Sequence, residues 1–293
     1  MSSPVKQTLK WAQKLLPACD GDLNHAKRQL VWLKEKIISD RSGGAIHDKL
    51  SEQEQTQLEK YINQRVFDHK PLQYILGSQP FCDLDIVTRP PILIPRWETE
   101  EWTYKVIQLM HQYLDKSRPL RILDICTGSG CIALALAKHL PKDSAQIIGL
   151  DISNKAISLA NHNLNIHKLS IRNAVEFREK DVFNLDLKEP VDMIVSNPPY
   201  ITHDEYNSLD PDVKEWEDPR ALVADEQGTR IHKRIIQVAK HCRPYNNDLP
   251  RLFMEVGGTH QIKPLTEEMQ INGLNDIEVW KDLADKDRVI VAH

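Results

Sequence analysis

The 293-residue chain contains no apolar run approaching the length that a bilayer crossing needs. A basic excess is missing as well. The formal net charge is -4 and the isoelectric point is near 6.3, which argues against holding duplex DNA by electrostatics. Metal-ligand spacing is absent. The five cysteines (Cys19, Cys82, Cys126, Cys131, Cys242) are odd in number and scattered, and the 12 histidines fall in no ligand pattern. Free thiols in a reducing compartment are the expectation, and no metal. There is no secretory signal, internal repeat or low-complexity segment. Acidic residues are missing from Met1 to Cys19, where Lys6, Lys10 and Lys14 accompany a Val5, Leu9, Ala12, Leu16 stripe. Such a segment suits either a first domain helix with a basic outer face or a mitochondrial presequence. What remains, 41% hydrophobic and 27% charged residues, is the composition of a soluble globular protein with a real core.

Residues 1 to about 75 carry helical periodicity, with Ser51 and Glu54 spaced as a capping box and Arg41 to Gly44 as a break. The stretch "PFCDLDIVTRPPILIPRWETEEW" alternates apolar and polar residues about a Thr-Arg-Pro-Pro turn, which predicts a hairpin linker. From Leu120 strands and helices alternate, predicting a parallel sheet with helices on both faces. The expected division is a helical domain over 1–79, a hairpin linker over 80–97 and a catalytic domain over 98–293.

In "LDICTGSGCIALALA" a strand ends at Ile125, and Gly128 and Gly130 let backbone approach a ligand before a helix starting near Cys131. "GLDIS" then places Asp151 at the next strand end, where a carboxylate can accept both hydroxyls of a ribose. A dinucleotide dehydrogenase shares this pattern. Cys126, however, occupies a position where a pyrophosphate favours glycine, so a donor without phosphates such as S-adenosylmethionine fits better. Asp181, in "FREKDVFNLDL", ends a further strand. It is either an acceptor for an adenine amino group with Val182 against the base, or simply a turn aspartate.

"IVSNPPYI", from Ile194 to Ile201, is a buried strand that must stop at Asn197, because Pro198 and Pro199 cannot donate to a ladder. After a glycine-rich turn and a ribose acid, such a motif resembles the signature of methyltransferases acting on planar nitrogens. The lone pair of an amide nitrogen is delocalised. Hydrogen bonds from its N–H groups to fixed acceptors favour a pyramidal, nucleophilic geometry. Asn197 would supply a side-chain oxygen and Pro198 its carbonyl, the prolines holding both in place, while Tyr200 packs against the planar group.

"PLQYILG" (Pro71 to Gly77), "ILIPRWETE" (Ile92 to Glu100), the glycine turn, "IVSNPPYI" and the terminal "DKDRVIVAH" occur in that order. Together they resemble the HemK/PrmC family of protein-(glutamine-N5) methyltransferases, which modify peptide chain release factors. The resemblance implies an α/β fold: a seven-stranded, Rossmann-like methyltransferase domain behind a small helical domain and a hairpin linker. It implies S-adenosylmethionine as donor, S-adenosylhomocysteine as product, no metal, and the glutamine of a Gly-Gly-Gln loop as acceptor. Carried onto this chain, Cys126, Thr127, Gly128, Ser129, Gly130, Asp151, Asp181, Val182 and Asn197 would bind the donor. Asn197, Pro198, Pro199 and Tyr200 would hold the glutamine amide, with Ile94 to Glu98 walling the pocket and the helical domain gripping the release factor. Trp97 and Cys126 depart from the proline and glycine of many bacterial members and resemble the organellar branch. The helical domain, which the cytosolic eukaryotic paralogue of the family typically lacks, together with the acid-free N-terminus makes a mitochondrial location the expectation, with the cytoplasm as alternative. Two rivals stay open: a DNA adenine methyltransferase, and a catalytically silent scaffold that binds a translation factor.

Overall fold

The computed structural model describes residues 4–41, 49–114, 118–187, 189–244, 246 and 248–293. Ser42 to Gly44, expected to break the helical region, lie outside them. The chain forms two compact units, one running to Ser78 and including Asp210–Trp216, the other comprising Gln79–Leu209 and Glu217–His293.

The first unit contains helices α1 (Pro4–Leu15), α2 (Leu23–Ser39), α3 (Glu52–Val66) and α4 (Leu72–Leu76). Asp22 caps α2 by accepting from the amides of Asn24 and His25. Ser51 and Glu54 form the expected capping box at α3. The core joins Trp11, Ala12 and Leu15 of α1 to Leu30, Leu33, Leu58 and Ile62. Leu9 of the expected apolar stripe is instead 42% exposed, because α1 turns Trp11 rather than Leu9 inward. Far along the chain, Trp216 joins this unit. Its Nε1 donates to the Asp68 carbonyl at 2.8 Å and its ring lies 6.4 Å from that of Tyr74. Arg65 pairs with Asp212 at 3.4 Å.

A hairpin pairs β1 (Ser78–Phe81) with β2 (Leu84–Val87), and Phe81, Leu84 and Ile86 enter the core of the second unit. Its turn is Cys82–Asp83, not the Thr-Arg-Pro-Pro stretch expected from sequence. Both residues adopt positive φ (47° and 59°), the twist that a two-residue hairpin turn requires. After helix α5 (Trp97–Tyr113) come β3 (Leu120–Ile125), α6 (Cys131–His139), β4 (Ala145–Asp151), α7 (Asn154–His167), β5 (Ala174–Glu179), β6 (Met193–Ser196) and β7 (Leu252–Glu255). β8 (Glu278–Lys281) and β9 (Asp287–Ala292) complete a seven-stranded sheet of order β5-β4-β3-β6-β7-β9-β8. The first five strands in that order are parallel and β9 is antiparallel to β7.

Neighbouring residues alternate between the two faces of this sheet. Ile122, Met193 and Phe253 join a core with α5, α6 and α7, while Leu123, Ile194 and Leu252 join one with helices Arg230–Ala239 and Thr259–Ile271. The registers Ile125↔Leu150 and Ile125↔Ser196 bring the carboxyl ends of β3, β4 and β6 level, so the residues following them meet in one crevice.

Candidate active site

A cavity of about 190 Å³ opens at those strand ends. Cys126 and Gly128 reach it from the turn after β3, Asp151 from the end of β4, Asp181 and Val182 from beyond β5, and Asn197 and Pro199 from beyond β6. Ile92, Leu150, Val182, Phe183 and Ile231 give it a largely apolar wall.

The turn is built around two acids. Asp151 accepts from the Gly128 amide through Oδ2 and from the Ser153 amide through Oδ1, both at 2.9 Å. Each oxygen keeps a lone pair for a ligand hydroxyl. Burial raises the Asp151 pKa, opposed by the Ser153 and Gly128 amides and by the positive charge of Arg220. Asp124, inside β3, is fully buried. Its Oδ2 accepts from Thr127 Oγ1 at 2.6 Å and from the Ala133 amide at 3.2 Å, tying the turn to the first residues of α6. Its Oδ1 is buried without a hydrogen-bond partner among the described residues. Burial pushes its pKa up to about 7. Gly130 takes φ +82°, and a Cβ there would lie 2.8 Å from the Phe177 ring, so the turn closes onto β5 only with glycine.

Asp181 is the turn aspartate that the sequence offered as one reading. It caps a short 3-10 turn, accepting from the Phe183 amide at 2.9 Å and Asn184 Nδ2 at 3.1 Å, and it faces the cavity.

The turn after β6 is braced from several sides. Asn197 Nδ2 donates to Thr99 Oγ1 at 3.1 Å, and Thr99 in turn donates to Glu255 Oε2 at 2.7 Å. Asn197 Oδ1 makes no hydrogen bond among the described residues. Pro198 and Pro199 are buried and Tyr200 is partly so. The Tyr200 carbonyl accepts from Gln261 Nε2 at 3.0 Å, and its hydroxyl lies 3.5 Å from Glu255 Oε1. Gly228, at φ +77°, fits directly against that carbonyl, which any Cβ would overlap. Beyond it, Ile201 is pinned between Leu222 and Ala224 by backbone hydrogen bonds of 2.9 and 3.0 Å. Behind Glu255 sits His232, buried, with Nε2 3.0 Å from the Glu255 carbonyl oxygen and a pKa pushed down to about 4 by burial.

A fold of this kind supports many chemistries, and comparison with known proteins narrows it. Residues 105–210 match the family model described as the methyltransferase small domain. The hMettl16 catalytic domain, solved in complex with a MAT2A 3′UTR hairpin, superposes with a TM-score of 0.53. It covers 90% of this chain and 91% of that one at 17% identity, a likeness of fold alone. The release factor glutamine methyltransferase of Thermodesulfovibrio yellowstonii is 37% identical over 238 residues, 81% of each chain. The chain belongs to the release factor glutamine methyltransferase family. A eukaryotic relative in this family, named the mitochondrial MRF1 N(5)-glutamine methyltransferase MTQ1 of Saccharomyces cerevisiae, is 35% identical over 288 residues. It covers 94% of this chain and 82% of its own.

Within this release factor glutamine methyltransferase the residues singled out from sequence divide in two. Cys126, Gly128, Asp151, Asp181, Val182, Asn197 and Pro199 share the cavity wall, whereas Thr127, Ser129, Gly130, Pro198 and Tyr200 do not line it. Thr127 and Gly130 brace the turn as described, and the Ser129 carbonyl accepts from Asn163 Nδ2 at 3.0 Å. From the linker, Ile92 and Leu93 line the cavity, while Ile94 is buried and Trp97 is half exposed. Arg96 instead reaches the buried Glu217 at 2.6 Å. Sequence reasoning missed Asp124, Thr99, Glu255 and Arg220. Only Asp124 carried a usable signal, an acid inside an otherwise apolar strand.

Proposed function

We propose that this methyltransferase moves a methyl group from S-adenosylmethionine to the side-chain nitrogen of the glutamine in the Gly-Gly-Gln motif of a peptide chain release factor. The observation that carries the reading is the meeting, at one crevice, of the Asp151 carboxylate with Asn197 and Pro199. The cavity fits the donor. Asp151 has two lone pairs for ribose hydroxyls, Asp181 and Val182 offer an acceptor and an apolar surface for an adenine, and the three carboxylates on the wall (Asp151, Asp181, Asp218) outnumber its two cations (Lys180, Arg220), which suits a sulfonium cation better than a phosphate. Arg220, the guanidinium on the wall, is engaged with Asp218 at 2.7 Å. When bound, the donor supplies an electrophilic methyl group.

The chain's own part is positioning. Asn197 Oδ1 and the Pro198 carbonyl accept the two N–H groups of the glutamine amide, favouring the pyramidal nitrogen, and Tyr200 packs beside it. No general base is required before transfer, since the nitrogen can lose its proton after becoming cationic. The helical unit grips the release factor, and the mitochondrion is the proposed location, supported by the yeast relative's name. Incubation of the chain with labelled donor and a bacterial-type release factor, followed by peptide sequencing, tests the reading. Label on the Gly-Gly-Gln glutamine is expected, whereas label on an adenine-containing duplex alone, or on neither substrate, would overturn it.

A further inference from the structure

An asparagine amide has two ends of nearly equal size and opposite hydrogen-bonding character, so an acceptor role for Asn197 requires something to fix which end faces the cavity. We propose that Thr99 and Glu255 are positioning residues that set the orientation of the Asn197 amide, so that Oδ1 rather than Nδ2 is presented to the substrate. The inference rests on the reading of Asn197 given above and concerns how its polarity is imposed.

The chain of donors runs one way. Trp102 Nε1, which can only donate, points at Glu255 Oε2 at 2.7 Å. Thr99 Oγ1 lies at 2.7 Å from the same oxygen. An oxygen that already takes the indole proton is an acceptor. With Glu255 ionised both of its oxygens can only accept, which fixes the direction. Thr99 has one hydroxyl proton and spends it on Glu255, leaving only lone pairs for Asn197 at 3.1 Å. The end of Asn197 that meets them must be Nδ2, and Oδ1 is turned away. Glu255 is 1% exposed and Thr99 2%, so no water competes for these positions. The parts come from three separate places: Thr99 and Trp102 from α5, Glu255 from the end of β7, and Asn197 from the end of β6.

The test measures single-turnover methylation of a release factor by the full chain carrying Thr99→Val, which keeps the shape and removes the hydroxyl. The expected loss is about tenfold, the worth of one neutral hydrogen bond, with donor affinity within about threefold. Thr99→Ser should restore most of the rate. The deciding comparison places Thr99→Val in the Asn197→Asp background. Both carboxylate oxygens accept, so orientation no longer matters, and the second substitution should cost less than about twofold. An equal loss in both backgrounds means that Thr99 only supports packing and overturns the inference. So does a full rate for Thr99→Val alongside a slow Asn197→Ala, which leaves the acceptor role standing. A full rate for Asn197→Ala would instead defeat that role itself. If Thr99→Val does not fold, Thr99→Ala in the same two backgrounds gives the same comparison.

Discussion

Replacing Asp151 by alanine should remove most of the donor affinity while leaving the protein folded. Two charge-assisted hydrogen bonds to ribose disappear, at about 1.5–3 kcal/mol each, so the dissociation constant should rise by roughly a hundredfold to ten-thousandfold. The structure adds a second contribution, because the carboxylate also accepts from the amides of Gly128 and Ser153 and so shapes the turn under the donor. Asp151→Asn is no neutral stand-in for the same reason. Its new side-chain NH₂ would face one of those two amide donors, so that variant should also bind weakly. The charged form is the one that binds. Because burial raises the folded-state pKa of Asp151 above its ordinary value, donor affinity should weaken as pH falls, and at a higher pH than for an exposed aspartate. Isothermal titration calorimetry with S-adenosylhomocysteine, run with a thermal melt on each variant, reads all of this. A dissociation constant for Asp151→Ala within threefold of the parent would remove Asp151 from the donor site and refute the reasoning.

Asp124, with its pKa raised to about 7, disfavours folding as it ionises. Its stabilising contribution is complete below the unfolded value near 4 and is lost as pH rises through 7. Asp124→Asn should therefore gain stability relative to the parent between pH 4 and 8, by up to about 4 kcal/mol, and a difference flat with pH in denaturant titrations would contradict this. Gly228→Ala drives a Cβ into the Tyr200 carbonyl at a positive φ, and should cost on the order of 2 kcal/mol or more in thermal unfolding. A wild-type melting temperature would show that the turn yields freely. A chain beginning at Phe81 should bind the donor yet methylate an intact release factor poorly, because every cavity residue follows that point while Asp210–Trp216 loses the unit it is anchored in. Normal turnover of full-length factor would argue against the gripping role of the helices.

The strand ends were legible in the sequence for a simple reason. In a parallel sheet the apolar runs of β4 and β6 stop abruptly at the crevice, Asp151 closing β4 and Asn197 following β6. The capping box at Ser51 was legible because it is local. The hairpin turn was not: two prolines gave the stronger signal, while Cys82–Asp83 adopts positive φ without the glycine that usually marks such turns. The Thr99–Glu255 pair was hidden for the opposite reason. The two residues are 156 positions apart and each is an unremarked polar group until the fold seats them together. Asp124 was overlooked because a buried acid in a strand reads as part of the motif rather than as a titratable group.

The most direct measurement is single-turnover methylation of a release factor by the parent chain, Asn197→Asp and Asn197→Ala, with the product glutamine sequenced by mass spectrometry. One methyl group on the side-chain nitrogen of the Gly-Gly-Gln glutamine is expected, with rates falling in the order parent, Asn197→Asp, Asn197→Ala, the last by on the order of a hundred- to a thousandfold. An Asn197→Ala variant that methylates this glutamine as fast as the parent would contradict the account.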